Sequence, residues 1–310
     1  MMAERQTRTA SPRGELARDV AMSRYVSWRA GGRAERLYTP VDLADLCAFL
    51  ATVPEVEPIY FIGLGSNLLV RDGGLKGTVI CLHGVVNRIQ METAGDMTGV
   101  GQGVIYAEAG VASPKLARYA ANHDLVGAEF LAGIPGAVGG ALAMNAGCHG
   151  HATWDHVAQA LTVNRRGELR RRGPSEFSIG YRHVEPDSPR DEWFAAAWFR
   201  FERGDGQASR REITRRLEQR IASQPLQLPN AGSVFRNPPG DFAARLIESC
   251  GLKGCRIGGA QVSEMHANFI VNRGGGSATD IENLIDKVEQ TVAEQTGVRL
   301  QREVRIIGEK

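Results

Sequence analysis

Gly133-Ile-Pro-Gly136-Ala-Val-Gly139-Gly140-Ala-Leu-Ala-Met-Asn145-Ala-Gly147 places glycine at five of fifteen positions, with small alanines between them. A stretch so poor in side chains cannot anchor a core by itself. It lets a large flat ligand lie directly against backbone. Upstream, Ile59-Tyr-Phe-Ile62 is a short apolar run expected to be a buried strand, and it leads straight into a second glycine loop, Gly63-Leu-Gly65-Ser66-Asn67-Leu68-Leu69. This second loop superficially suits a dinucleotide fingerprint. That fingerprint needs a third glycine where Leu68 stands and a helix directly after, whereas the following residues read as extended, so a Rossmann site is rejected. What survives is a strand–loop–strand nest whose backbone N–H groups and Ser66 hydroxyl face an anion; on this loop alone a plain turn remains the alternative. Two such loops in adjacent units, with no helix N-terminus clearly presented, point to a flavin dinucleotide held across two subdomains.

Working outward, the spacing predicts helices over Val41–Leu50, Ser113–Asn122 (Ser113 as N-cap, Pro114 in the first turn), Arg211–Ala222 and Ser277–Thr296. The last carries Ile281, Leu284, Ile285, Val288 and Val292 on one face and ends at Gly297. Strands are expected at Leu68–Val70, Gly77–Leu82, Val104–Gly110 and Trp193–Phe201. A hairpin is expected around Arg165-Arg-Gly167, and a closing strand through Val304 and Ile306. Val26–Gly32 reads as a short extended segment, residues 1–20 as a loose polar tail, and Gly204-Asp-Gly206 as a linker.

The 310 residues suffice for about two domains, or three small ones. Lys+Arg 37 against Asp+Glu 35 gives a net charge of +2, so no overall field recruits nucleic acid or an acidic membrane. No apolar run reaches the roughly 18 residues of a membrane span. Cys47, Cys81, Cys148, Cys250 and Cys255 form no CxxC pair and are expected to be reduced thiols in the cytoplasm. His149, His151 and His156 lack metal-ligand spacing, so no metal is expected. Arg165, Arg166, Arg170, Arg171 and Arg172, like Arg210, Arg211, Arg215, Arg216 and Arg220, read as solvated faces. His266 reads as structural.

In several segments the chain resembles the UDP-N-acetylenolpyruvoylglucosamine reductase family (UDP-N-acetylmuramate dehydrogenases). The matching residues are Trp28-Arg-Ala-Gly-Gly, the loops at 63–70 and 133–147, Gly180-Tyr-Arg182, Ala231-Gly-Ser233-Val-Phe-Arg-Asn-Pro238, 258–272 and Glu303-Val-Arg-Ile-Ile-Gly308. His183 directly after the Gly180-Tyr-Arg182 junction resembles the subclass without an extra tyrosine-bearing loop. The resemblance implies an α+β fold. A two-subdomain FAD-binding module of the vanillyl-alcohol/p-cresol flavin oxidoreductase type would span 21–90 and 91–204, with an α/β substrate-binding domain over 205–310. It implies a cytoplasmic monomer with non-covalent FAD and NADPH as co-substrate, acting on UDP-N-acetylglucosamine enolpyruvate in peptidoglycan synthesis.

The residues implied to contact FAD are Gly63, Gly65, Ser66, Asn67, Leu68, Gly133, Ile134, Pro135, Gly136, Gly139, Gly140, Asn145 and Gly147. Those implied to contact substrate are Arg182, Arg236 and Asn237, and the catalytic set is Arg182, Ser233 and Glu303. By themselves these last three would read as an arginine packed on Tyr181, a turn serine and a surface carboxylate. The resemblance makes Arg182 a cation for the substrate carboxylate, Ser233 the proton donor, and Glu303 a carboxyl with a raised pKa beside the flavin. Three residues depart from the family pattern: Arg236 stands where lysine is usual, His149 where tyrosine is frequent, and Arg302 where proline is common. Arg302 is expected to pair with a carboxylate or to lower the pKa nearby.

Overall fold

The computed structural model describes residues 11–92, 101–187 and 191–310. The first unit runs through β1 (Glu15–Ala21), β2 (Arg33–Thr39), α1 (Leu43–Leu50), β3 (Ile59–Ile62), β4 (Leu68–Val70) and β5 (Leu75–Cys81). One sheet has the order β1-β2-β5-β3, with β5 parallel to both β2 and β3. Along β5, Val79 and Cys81 join one core cluster and Ile80 another, together with Leu46 and Leu50 of α1. Both faces are covered, so this strand reads as a continuous apolar run rather than an alternation. Asp42 caps α1, its carboxylate accepting from the Asp45 N–H.

Two sequence expectations fail in this unit. The tail expected over 1–20 includes β1, which pairs antiparallel with β2 from Glu15 to Ala21; residues 1–10 lie outside the described residues. β1 is an edge strand with no fully buried side chain, so its pairing rests on backbone hydrogen bonds and leaves no apolar alternation to read. The segment from Val26 to Gly32 is turn rather than strand, and Trp28 within it is fully buried.

The second unit holds β6 (Ile89–Met91), β7 (Gln102–Glu108), α2 (Ser113–Asn122), β8 (Leu125–Val126), α3 (Val138–Ala143), β9 (Gly147–Cys148), β10 (His151–Ala152), β11 (Val157–Asn164), β12 (Leu169–Arg172), β13 (Phe177–Gly180), β14 (His183–Pro186) and β15 (Glu192–Arg203). Its main sheet, β12-β11-β15-β7-β6, is antiparallel throughout, with β8 also on β15. The cap of α2 is Ala112; Ser113 lies inside the helix, its buried hydroxyl without a partner among the described residues. The basic hairpin is not a purely solvated face. Arg172 is 2% exposed and pairs with Glu192 at 2.7 Å, and the Arg171 guanidinium lies 4.5 Å from the Trp198 ring centre.

Helix α4 (Gly206–Ser223) begins inside the expected linker because Asp205 caps it, accepting from the N–H groups of Gln207 and Ala208. Its Ile213 belongs to the same core cluster as Leu116 and Phe130, and Leu217 packs against that cluster. The second unit therefore extends to residue 223, past the boundary expected at 204. Ile221, further along the same helix, is exposed.

The third unit comprises α5 (Ala243–Ser249), β16 (Arg256–Ile257), β17 (Ala260–Val262), β18 (Ile270–Asn272), α6 (Ala278–Thr296) and β19 (Arg305–Ile307). Ser277 and Asp280 form a capping box at the start of α6, and Gly297 ends it at φ +74°. All five predicted apolar side chains of α6 are buried, each contributing about 1.5–3 kcal/mol of burial free energy. β19 then leaves this unit and pairs parallel with β4 of the first. The Trp28 indole N–H donates to the Ile270 carbonyl at 2.7 Å, and Arg71 forks onto Glu282 at 2.8 and 2.9 Å, so the two units share one core and one buried polar seam.

Candidate active site

The parallel pairing of β19 with β4 creates the site. Asn67, at the end of the first glycine loop, accepts from the Arg305 N–H at 2.9 Å and donates its side-chain amide to the Glu303 carbonyl at 3.1 Å. On the other side, the Glu303 N–H donates to Val234 at 2.8 Å. Glu303 is thus held between the loop at 63–67 and the segment carrying Ser233. The two glycine loops face each other: a Cβ built on Gly63 would lie 3.1 Å from the Ala137 Cβ, and one on Gly136 would lie 3.1 Å from the Ser66 hydroxyl.

A cavity of about 460 Å³ opens between these parts. Its walls include Gly63, Gly65, Ser66, Asn67 and Leu68 from the first loop, and Gly133, Ile134, Pro135, Gly136, Gly140 and Gly147 from the second. Arg182, Ser233 and Glu303 line the same cavity. Arg182 sits at the tip of the β13–β14 hairpin. Its Nη2 donates to the Gly147 carbonyl at 3.0 Å, and its Nε lies 2.8 Å from Glu303 Oε1, an ion-pair contact without hydrogen-bond geometry. The Ser233 hydroxyl is engaged by no hydrogen bond among the described residues. Burial raises the Glu303 pKa, while Arg182 and, less strongly, Arg236 pull it back down. The direction is the one expected from the sequence.

Four of the residues expected at the site lie off the cavity wall. Gly139 donates its N–H to Ala109, and a Cβ there would meet the Ala109 Cβ at 2.9 Å, so this glycine permits α3 to pack on the chain after β7. Asn145 accepts from the Trp154 N–H and donates to the Gly180 carbonyl, bracing the base of the hairpin that presents Arg182. The Asn237 side chain accepts from Ala243 N–H at the start of α5. Arg236 donates to the Arg182 carbonyl at 3.1 Å. Arg302 does pair with carboxylates, Asp286 and Glu289, both on α6. The His266 ring meets Phe269 edge-on, in keeping with a structural histidine.

Arg220, Gln224, Met144, Phe269 and Arg305 also line the cavity and escaped the sequence reading. Arg220 was grouped with the solvated arginines, yet burial lowers its pKa and no carboxylate pairs with it among the described residues. The signal was there: Arg220 lies seven residues after Ile213 and three after Leu217, on the stripe that faces the core.

Known families match both halves of this arrangement. Residues 224–307 match the C-terminal domain model of UDP-N-acetylenolpyruvoylglucosamine reductase, and residues 34–173 match an FAD binding domain model. The chain is 61% identical to the UDP-N-acetylenolpyruvoylglucosamine reductase of Thiobacillus denitrificans, covering 96% of this chain and 94% of the relative. The chain belongs to the UDP-N-acetylenolpyruvoylglucosamine reductase family. The enzyme of that name from Nitrosospira multiformis is 58% identical, over 96% of this chain and 90% of its own. The crystal structure of the Thermus caldophilus reductase superposes with a TM-score of 0.76 at 31% identity, over 95% of this chain and 98% of that one.

As a member of this reductase family the chain is an FAD-binding oxidoreductase of α+β fold. The residues at the cavity fit that cofactor. Among the described hydrogen bonds, the N–H groups of Leu64, Gly65 and Ser66 donate to nothing in the chain, and Gly65 holds φ +66°, the geometry of an anion-binding nest. A Cβ on Gly140 would meet nothing within 4 Å, so that side of α3 is open to a flat group. Among the described residues, no group of three or more His, Cys, Asp or Glu is placed to hold a metal ion.

Proposed function

We propose that this protein reduces the enolpyruvyl group of UDP-N-acetylglucosamine enolpyruvate to give UDP-N-acetylmuramate, with NADPH as the electron source, in peptidoglycan synthesis. One observation carries the reading: the Glu303 carboxyl, with Arg182 Nε 2.8 Å away, and a serine with an unengaged hydroxyl line the cavity that the two glycine loops enclose. When bound, the flavin supplies the hydride.

The double bond is conjugated to a carboxylate. Hydride at the terminal carbon therefore leaves an electron pair shared between the α-carbon and the carboxylate oxygens. The Arg182 guanidinium is permanently charged and already fixed by Gly147, so it stabilises that charge without reorganising. Glu303, held protonated to higher pH by burial, donates a hydrogen bond to the enolate oxygen. Ser233 delivers the proton to the α-carbon, closing the balance of one hydride and one proton added across the bond. The 63–67 nest, with its undirected N–H groups, would hold the FAD diphosphate, and the glycine-lined wall of the 133–147 loop would lie against the flat rings. The five cysteines are all unbridged, which supports a cytoplasmic setting.

Rapid-mixing absorbance tests the reading in two stages. NADPH bleaches the yellow protein, and UDP-N-acetylglucosamine enolpyruvate then restores the colour. Ser233→Ala leaves the first stage within about twofold and slows the second by about 10²-fold or more. Equal slowing of both stages removes Ser233 from proton delivery, and a reduced flavin that oxygen but not the sugar nucleotide reoxidises removes the assigned substrate.

A further inference from the structure

Arg182 adopts a backbone conformation that L-residues with long side chains rarely hold, φ +55°, at the second of the two residues joining β13 to β14. A two-residue loop with one such residue is not fixed by the strands alone. The Arg182 side chain is held on the cavity side, by the carbonyl of Gly147 and by Glu303. Its main chain is held from the opposite unit: Arg236 Nη2 donates to the Arg182 carbonyl at 3.1 Å. Arg236 is itself anchored at both ends. Its N–H donates to Gln301, two residues before Glu303, while Phe235 and Arg302 form a backbone bridge beside it. Its buried Nε has no acceptor among the described residues, and Arg236 is not among those lining the cavity.

We infer that Arg236 is a positioning residue that latches the turn at 181–182 onto the third unit, so that the Arg182 guanidinium is delivered against Glu303, and that it does not serve as a contact for the substrate diphosphate. The inference deepens the reading of the site given above and rests on it for its kinetic arm only. Arg236 carries two consequences at once. It supplies the hydrogen bond that keeps the turn in its strained form, and it sets a second cation near Glu303. The charged groups around that carboxyl are Arg182 from the hairpin and Arg236 from the 231–238 segment. On its own segment, just before β19, Arg302 is taken up by Asp286 and Glu289, and Arg305 at the start of β19 stands at the cavity wall.

The test compares Arg236→Met with Arg236→Lys in the FAD-loaded protein. Methionine keeps the apolar stem and removes the donor and the charge, whereas lysine keeps the charge and one donor to the carbonyl. Hydrogen exchange of the peptide spanning 178–185 is measured first, without turnover. It is expected to quicken about tenfold in Arg236→Met and to return towards the native rate in Arg236→Lys. Unaltered protection in Arg236→Met overturns the inference whatever the substrate proves to be.

Rapid mixing is the second arm. Flavin reduction by NADPH is expected within twofold of the native rate, with the rate of sugar-nucleotide reduction lowered about tenfold at unchanged substrate affinity. The high-pH limb moves upward, because one cation favouring the carboxylate is gone. Weaker binding of the sugar nucleotide with an unchanged rate at saturation and an unmoved limb makes Arg236 a substrate contact and sinks the latch. Failure of the native protein to reduce the sugar nucleotide counts against the proposed function alone, since the exchange arm decides the latch by itself.

Discussion

Glu303 shows how one side chain joins stability to chemistry. Burial raises its carboxyl pKa, and the cations beside it offset only part of that shift. A raised folded-state value means that the native state holds the proton more tightly than the unfolded chain. The stability this contributes is fully present below the unfolded value and is lost as pH rises through the folded one. The same proton is the one proposed to be donated to the enolate oxygen, so the rate of sugar-nucleotide reduction falls as pH rises through the folded value. Glu303→Gln, whose amide donates at every pH, is expected to be slower by about 10²-fold and to lose that limb. A pH series of rapid-mixing traces checks both; a limb that persists in Glu303→Gln assigns the titration to another group. The sequence marked Glu303 only through its motif, because a glutamate on a short strand is ordinarily exposed. Its main chain is fixed by Asn67 and Val234, which come from chain segments far away in sequence and place the carboxyl at the cavity beside Arg182.

At the scale of elements, the glycine loops were legible because the absence of side chains is itself a pattern. What the pattern did not resolve is which glycine meets ligand and which meets protein. Gly139 and Gly140 are neighbours, yet a Cβ on the first strikes Ala109 and a Cβ on the second strikes nothing. Gly140→Leu therefore separates folding from cofactor binding. The apo protein is expected to be as stable as the native one, or up to about 1 kcal/mol more stable, since leucine suits a helix better than glycine. Its flavin content is expected to fall at least tenfold, because the side chain enters the cavity. Absorbance of the purified protein together with a urea titration reads both quantities. Equal flavin content would place the ring away from this face of α3. Helix α6 was fully legible, with its capping box, apolar stripe and terminal glycine all local signals. Helix α4 is half legible: the spacing predicts the helix, but its run of arginines reads as a solvated face, while Arg220 lies on the inward stripe.

Across the whole molecule, the cavity exists because the last strand returns to the first unit, and Trp28 is the central fastening of that return. It is fully buried, donates to Ile270 and accepts from the Asn272 side chain through its own carbonyl. Trp28→Phe keeps most of the apolar contact and leaves the Ile270 carbonyl without this donor, so a loss of about 1–3 kcal/mol is expected. It should appear as a lower urea midpoint at unchanged slope. A change in slope, or two separate transitions, would mean that the first and third units unfold independently. The unit boundaries follow the same logic. A linker was expected at Gly204-Asp-Gly206 from composition, but Asp205 caps a helix there, and that helix packs backwards onto the second unit.

The sequence by itself determined the longer helices, the longer central strands and the two backbone-lined loops, while the three side chains proposed for the chemistry were marked by the family motifs. Periodicity, caps and side-chain-poor stretches are written in neighbouring residues. Only the tertiary structure decided that β1 pairs at all, that Arg220 faces the cavity, and that Arg236 reaches the Arg182 carbonyl rather than the cavity. Each of these depends on a partner distant in the chain, and neither propensity nor spacing encodes which distant group a backbone edge or a long cationic side chain will meet.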